Sequence, residues 1–274
     1  ATNGIGKAAA IKFAESAKSI SFTYRNDELA EDLKNEMQKI NPNLSINSFF
    51  CDFSVQDSIR ECADKIKNDL KAIDLLINNA GVVNTEYSET IDGIENTFAV
   101  NHLGYFLFTN LLLDLVKKES ESRIINVSSA AHHFVKGMQW DDINYKDDFK
   151  MGLKAYGQSK LGNILFTKQL AKKLQKDGVT VNAIHPGGVN TSLGNQNNSL
   201  LGRVLKIILK PFFRSPLKGA NTIIYLAEID GLSITGAYWV DGRVAKTSHY
   251  SKNEAEAEKL WRLSEKLVNQ EFDI

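Results

Sequence analysis

The chain is 274 residues long and carries 33 basic and 33 acidic side chains, a formal net charge of zero. That length suits one well-buried α/β domain, and the charge balance argues against a general nucleic-acid surface. Cys51 and Cys62, its two cysteines, are too few for a disulfide framework and read as reduced, buried thiols. No run approaches the roughly 18 apolar residues of a membrane span, and no signal peptide is visible.

In chain order, Ala1-Thr2-Asn3-Gly4-Ile5-Gly6-Lys7 forms a glycine turn ahead of a helix over 7–14. Such a turn lets backbone N–H groups and the helix N-terminus approach a pyrophosphate, here at Asn3, Gly4, Ile5 and Gly6. Strand-like runs follow at 19–24, 45–51, 74–78, 123–128, 179–185 and 236–240. Between the first of them, Leu29, Leu33, Met37 and Ile40 recur at helical spacing, as do Ile59, Ala63, Ile66 and Leu70. Further helices fit 104–118, 155–175, 216–228 and 253–269. The alternation predicts an α/β fold, a Rossmann-type doubly wound parallel sheet covered by helices on both faces. With no repeat, low-complexity stretch or linker, one domain is expected over 1–274. A dinucleotide-binding unit has a strand before its glycine turn, and none precedes Ala1. The chain therefore reads as a fragment whose first strand is missing, with exposed strand edges and weakened cofactor binding expected.

Tyr156, Gly157, Gln158, Ser159 and Lys160 spell Tyr-x-x-x-Lys. An i,i+4 pair shares one helix face, so the phenol and the ammonium are expected side by side. A nearby ammonium favours phenolate and lowers the tyrosine pKa, which suits a general acid/base. Ser129 adds a hydroxyl to hold a substrate oxygen, with Ser128 as the alternative. Such a set does proton transfer at a carbonyl or an alcohol. The five histidines show no metal spacing, so no metal is expected. At the end of the run 19–24, the second strand of such a unit once the missing one is counted, stand Tyr24 and Arg25, where an acid would favour NAD and an arginine accommodates a 2′-phosphate.

In order and spacing these motifs resemble the short-chain dehydrogenase/reductase family over essentially the whole chain. The nearer resemblance is to its retinol dehydrogenase and WW-domain oxidoreductase branch. Its marks are Phe22-Thr23-Tyr24-Arg25-Asn26, Asn101-His102-Leu103-Gly104-Tyr105-Phe106, Ser128-Ser129-Ala130-Ala131-His132-His133, His185-Pro186-Gly187-Gly188-Val189-Asn190-Thr191 and Glu258-Lys259-Leu260-Trp261. The resemblance implies catalysis by Ser129, Tyr156 and Lys160, with Asn101 holding a water that links Lys160 to solvent. It places Asp52 on the adenine amino group, although Asp52 also reads as a helix cap with Ser54. Asn79, Ala80 and Gly81 would lie beside the adenosine ribose, and Lys160 on the nicotinamide ribose. Pro186, Gly187, Val189 and Thr191 would border the nicotinamide.

NADP(H), rather than NAD(H), is the expected cofactor, on Arg25. The expected substrate is a small apolar carbonyl or alcohol, retinoid-like or a lipid aldehyde or ketone. The resemblance also implies a substrate lid over about 190–218. Within it, 200–214 interleaves apolar side chains with Arg203, Lys206, Lys210 and Arg214, which suits either packing on its own pocket or peripheral contact with an anionic membrane. A cytoplasmic location is expected, membrane-associated if an anchor preceded Ala1. Two other readings stay open: an NADP(H)-binding regulatory or partner-recruiting module with little turnover, and the light-dependent pigment reductases that share Asn-Asn-Ala-Gly and Tyr-x-x-x-Lys.

Overall fold

Short runs rich in β-branched and aromatic residues form the strands of the computed structural model, which describes residues 1–119, 121–188 and 214–274. They are β1 (Ser19–Tyr24), β2 (Ser45–Phe50), β3 (Leu75–Asn78), β4 (Arg123–Val127), β5 (Thr180–His185), β6 (Tyr238–Val240) and β7 (Arg243–Val244). The six expected strands stand where the sequence pattern puts them, trimmed at their ends. The seventh is a two-residue return, made possible by a tight turn at Asp241-Gly242 where both residues have positive φ, 50° and 70°. The helices are α1 (Gly4–Ala14), α2 (Asp27–Ile40), α3 (Gln56–Asp69), α4 (Asn96–Phe98), α5 (Gly104–Val116), α6 (Leu153–Lys173), α7 (Pro216–Glu228) and α8 (Glu254–Leu267). Three of them, α2, α7 and α8, start on side-chain caps that satisfy first-turn N–H groups: Asn26 accepts from Leu29, Ser215 from Lys218 ahead of Pro216, and Asn253 from Ala255.

β3, β4, β5 and β6 run parallel in that order, and β7 closes the edge antiparallel. Helices cover both faces, as alternation along β4 shows. Ile124 joins the core built with Ile66 of α3, Leu112 of α5 and Leu165 of α6. Its neighbours Ile125 and Val127 pack on Ile223 and Leu226 of α7 instead. Cys51 and Cys62 are buried and unbridged.

The parallel sheet is interrupted. β1 pairs with β2 alone, and its other edge faces β3 across a cavity of about 610 Å³. Phe22, Leu75, Ile77, Phe13 and Phe108 line this gap. At one end the Ala1 nitrogen donates to the Thr23 carbonyl at 2.6 Å, which sets the glycine turn beside the end of β1.

One expectation fails. The stretch Asn96–Val116 has the length and composition of a membrane span, but 89% of its apolar window is buried inside the fold. Tyr105, Phe106 and Leu107 have no exposed surface at all. It is a core helix, apolar all round because protein surrounds it.

Candidate active site

The end of β4 is stitched to α6. The Val127 carbonyl accepts from Lys160 Nζ at 3.1 Å and from Asn163 Nδ2 at 3.2 Å. Ser128 Oγ donates to the Lys160 carbonyl at 2.8 Å, so Ser128 is a structural tie. Ser129, in extended backbone, caps a 3-10 turn over Ala130–Phe134, its Oγ accepting from the Ala131 N–H at 3.1 Å. Its hydroxyl is the side-chain group that acts on the Tyr156 phenol, opposing the rise of the phenol's pKa. Of the two serines, Ser129 is the one brought to Tyr156. Gly157 lets the helix come this close: a Cβ there would stand 2.7 Å from the Ala131 carbonyl oxygen.

Asn101 reaches the site through an irregularity that the periodicity did not reveal. Between α4 and α5 the chain winds as a π-helix over Ala99–Leu103, a local widening that often marks functional positions. Asn101 is fully buried. Its Oδ1 accepts from Val82 N at 2.8 Å, while Nδ2 donates to Val82 O and to Ser159 Oγ, both at 3.0 Å. Ser159 Oγ in turn donates to the Tyr156 carbonyl at 2.8 Å. Asn101 thus ties the loop after β3 to α6. Gly81 sits in the crook, where a Cβ would lie 3.3 Å from Asn101 Oδ1 and 3.7 Å from Lys160 Nζ.

The electrostatics depart from expectation. Burial raises the Tyr156 pKa above its ordinary 10.0, and the opposing stabilisation comes from the Ser129 hydrogen bond. Lys160 Nζ stands 5.6 Å from the Tyr156 ring centroid. It is itself only 3% exposed, and desolvation brings its pKa from 10.5 down to about 7. A lysine so desolvated is only partly charged at neutral pH, so it does not lower the phenol as the i,i+4 spacing alone suggested.

At the other end of the cleft, Asn3 caps α1 by accepting from Gly4 N at 2.7 Å, and Gly4 has φ +57°. Ile5 and Gly6 carry first-turn N–H groups that no intrahelical carbonyl reaches. A Cβ on Gly6 would meet Asn79 Nδ2 at 2.8 Å, so the turn and the loop Asn79-Ala80-Gly81 are in contact. Arg25 Nη1 is 3.8 Å from Asp52 Oδ1, with the arginine side chain 53% exposed. Asp52 also accepts from Ser54 N at 2.9 Å and Ser54 Oγ at 2.7 Å, a local turn ahead of α3 rather than a helix cap, since α3 begins after Val55 with no side-chain cap. Pro186 and Gly187 follow β5; Gly187 has φ +82°, and the Arg214 side chain lies against it. Arg214 forms a two-pronged ion pair with Asp241, which commits the last basic residue of 200–214. Val189, Thr191 and 200–213 lie outside the described residues. The first-turn N–H groups of α1 and the glycines at 6 and 81 fit the pyrophosphate and ribose of a dinucleotide.

Sequence reading missed a buried polar chain behind the site. Asn78 Nδ2 donates to Thr109 Oγ1 at 2.7 Å and to Asn126 Oδ1 at 2.8 Å, and Asn126 Nδ2 donates to Thr167 Oγ1 at 2.9 Å. The available signal was Asn126 itself, an amide inside the apolar run Ile124, Ile125, Val127.

A family model described as enoyl-(acyl carrier protein) reductase matches residues 1–242. Retinol dehydrogenase 13 of Homo sapiens is 39% identical over 277 residues, covering 99% of this chain and 83% of that protein. Retinol dehydrogenase 11 of Mus musculus is 37% identical over 265 residues, covering 96% and 83%. Among solved structures, an uncharacterised protein of Mycobacterium paratuberculosis superposes with a TM-score of 0.78 at 28% identity, covering 100% of this chain and 92% of that one. A short-chain dehydrogenase of Burkholderia cenocepacia J2315 in complex with NADP shares the fold with a TM-score of 0.67 at 22% identity, covering 86% and 91%.

Proposed function

The chain belongs to the short-chain dehydrogenase/reductase family, and from that footing we propose that it transfers hydride between NADP(H) and an apolar carbonyl/alcohol pair. The observation that carries the reading is the convergence of Ser129, Tyr156 and Lys160 at the end of β4. Arg25 supports NADP(H) over NAD(H), since its exposed fork suits a 2′-phosphate. A retinoid-like or lipid aldehyde or ketone is the substrate class. Support comes from the names of the relatives and from exposed apolar side chains around the start of α6 and the Ser129 turn, namely Phe134, Met151 and Leu153.

The bound nicotinamide supplies the hydride or accepts it. In the reductive direction Tyr156 donates its phenolic proton to the carbonyl oxygen. Its raised pKa keeps it protonated at neutral pH, the form an acid needs. Ser129 accepts from Ala131 through one lone pair, which leaves its O–H to donate to the same oxygen as charge develops there. Lys160, poised near neutrality, returns a proton to the phenolate. Asn101 holds Val82 and Ser159 in register and so keeps α6 at its distance from the loop after β3.

NADPH consumption against a panel of apolar aldehydes and ketones tests the reading. Tyr156→Phe is expected to cut turnover by about a hundredfold or more, the low end for a general acid, with NADPH binding retained. Turnover within a few-fold of the unaltered protein rejects the assignment. Absence of turnover for every substrate, with tight NADPH binding, selects the regulatory-module reading instead.

A further inference from the structure

His132 lies in the turn that Ser129 caps, has no exposed surface and takes no part in the chemistry proposed above. Its Nδ1 is 2.7 Å from the Ser129 carbonyl oxygen, and its Nε2 is 3.2 Å from the Ser248 backbone nitrogen. A backbone N–H only donates and a carbonyl only accepts. Nε2 must therefore offer its lone pair to Ser248, which puts the single ring proton on Nδ1, donating to Ser129. The bond from Ser248 requires a neutral ring, and burial keeps it neutral, with a pKa lowered to about 4. His133, with its centroid 3.9 Å away, and His185 further disfavour a charge on it, and Tyr238 meets it edge-on at 5.1 Å.

Both ends of this bridge are anchored. Ser251 Oγ donates to the Ser248 carbonyl at 2.8 Å, and the turn His249–Lys252 packs on α6. At the other end, the Ser129 carbonyl fixes the peptide plane next to a side chain whose Oγ already accepts from Ala131. With that lone pair used, the hydroxyl proton is left free to donate, and Tyr156 is the group whose pKa responds to it.

We propose that His132 is a positioning residue whose tautomer is set by the turn at Ser248 and whose Nδ1–H, donated to the Ser129 carbonyl, keeps the Ser129 hydroxyl toward the Tyr156 phenol. The inference rests on the Ser129–Tyr156 chemistry proposed above. Two variants divide the bridge, because an Asn amide stands near the place of Nδ1 and a Gln amide near that of Nε2. In His132→Gln the Tyr156 pKa, read by NMR of isotope-labelled tyrosine, rises as the Ser129 donation is lost. Its kcat falls about tenfold or more, a part of the hundredfold that removing an oxyanion donor outright costs, while NADPH affinity is unchanged. His132→Asn keeps the wild-type phenol pKa and a kcat within about threefold, since its N–H still meets the Ser129 carbonyl.

Equal phenol pKa values in the two variants overturn the positioning role. That titration needs no turnover, so a split in pKa without carbonyl reduction leaves the His132 role standing and rejects the reductase reading. Ser248→Pro supplies a second route if the ring variants do not fold. Ser248 has φ −58°, which proline accepts, and the change replaces the N–H that meets Nε2 with a ring carbon that cannot donate. Loss of the Nδ1–H tautomer in the imidazole nitrogen NMR spectrum supports the bridge, and its retention overturns it.

Discussion

Burial, more than the nearness of opposite charge, sets the protonation of the residues that matter in this molecule. His102 is the extreme case. It is fully enclosed, its Nε2 lies 2.9 Å from Ser264 Oγ, and desolvation lowers its pKa from 6.5 to about 3. A folded value below the unfolded one means that unfolding takes up a proton between those limits. The stability His102 contributes is therefore complete above pH 6.5 and declines as pH falls toward 3, by about 1.4 kcal/mol per pH unit. Urea melts from pH 6.5 to 4.5 are expected to show a shallower loss in His102→Gln than in the unaltered protein; parallel slopes refute the account. Arg25 is governed by solvent instead, with about half its side chain exposed and Asp52 at 3.8 Å. Arg25→Ala is expected to weaken NADPH binding far more than NADH binding in fluorescence titrations, because only NADPH carries the extra phosphate. Equal losses would make Arg25 structural.

At the scale of elements, the contact between α6 and the Ser129 turn decides whether the site exists. Alanine is the better helix former by about 1 kcal/mol, so Gly157→Ala should stabilise an isolated helix. Here its Cβ would stand 2.7 Å from the Ala131 carbonyl oxygen and 3.2 Å from Phe134 Cβ, and the overlap outweighs the propensity. Gly157→Ala is expected to lower the melting temperature and, by moving the turn off Tyr156, kcat as well; an unchanged kcat places the turn outside catalysis. Periodicity made the strands and long helices legible, and spacing made the Tyr156–Lys160 pair legible. Three things were not. The π-helix at Ala99–Leu103 arises from packing around Asn101, which one-dimensional spacing does not encode. The roles of Ser128 and Ser129 depend on which hydroxyl faces α6 and which faces Tyr156. The sign of the Tyr156 shift depends on desolvation, which is a property of three-dimensional enclosure. The β6–β7 return, by contrast, was announced by Asp241-Gly242 and overlooked.

At the scale of the whole molecule the described residues bury separate cores, and two elements reach more than one of them: α1, and β2 through Ile46 on one side and Phe49 on the other. β1, β2 and α2 close over a small core of their own, with Phe22, Leu33, Met37 and Leu44 at its centre. The remaining strands belong to larger cores on the far side of the gap. α1 serves both, turning Ala10 and Ala14 to the small core and Ile5 and Phe13 to a larger one. No backbone hydrogen bonds join β1 to β3 among the described residues. Amide hydrogen exchange is where this division becomes visible. The amides of β1 and β2 are expected to exchange through a sub-global opening that leaves β4 and β5 protected, so that one protein displays two opening free energies. NADPH, held by the glycine turn on one side and Asn79 on the other, is expected to draw the two values together. A single opening free energy for all four strands in the ligand-free protein would mean that the packing of α1 and of Phe49 suffices to make them one cooperative unit.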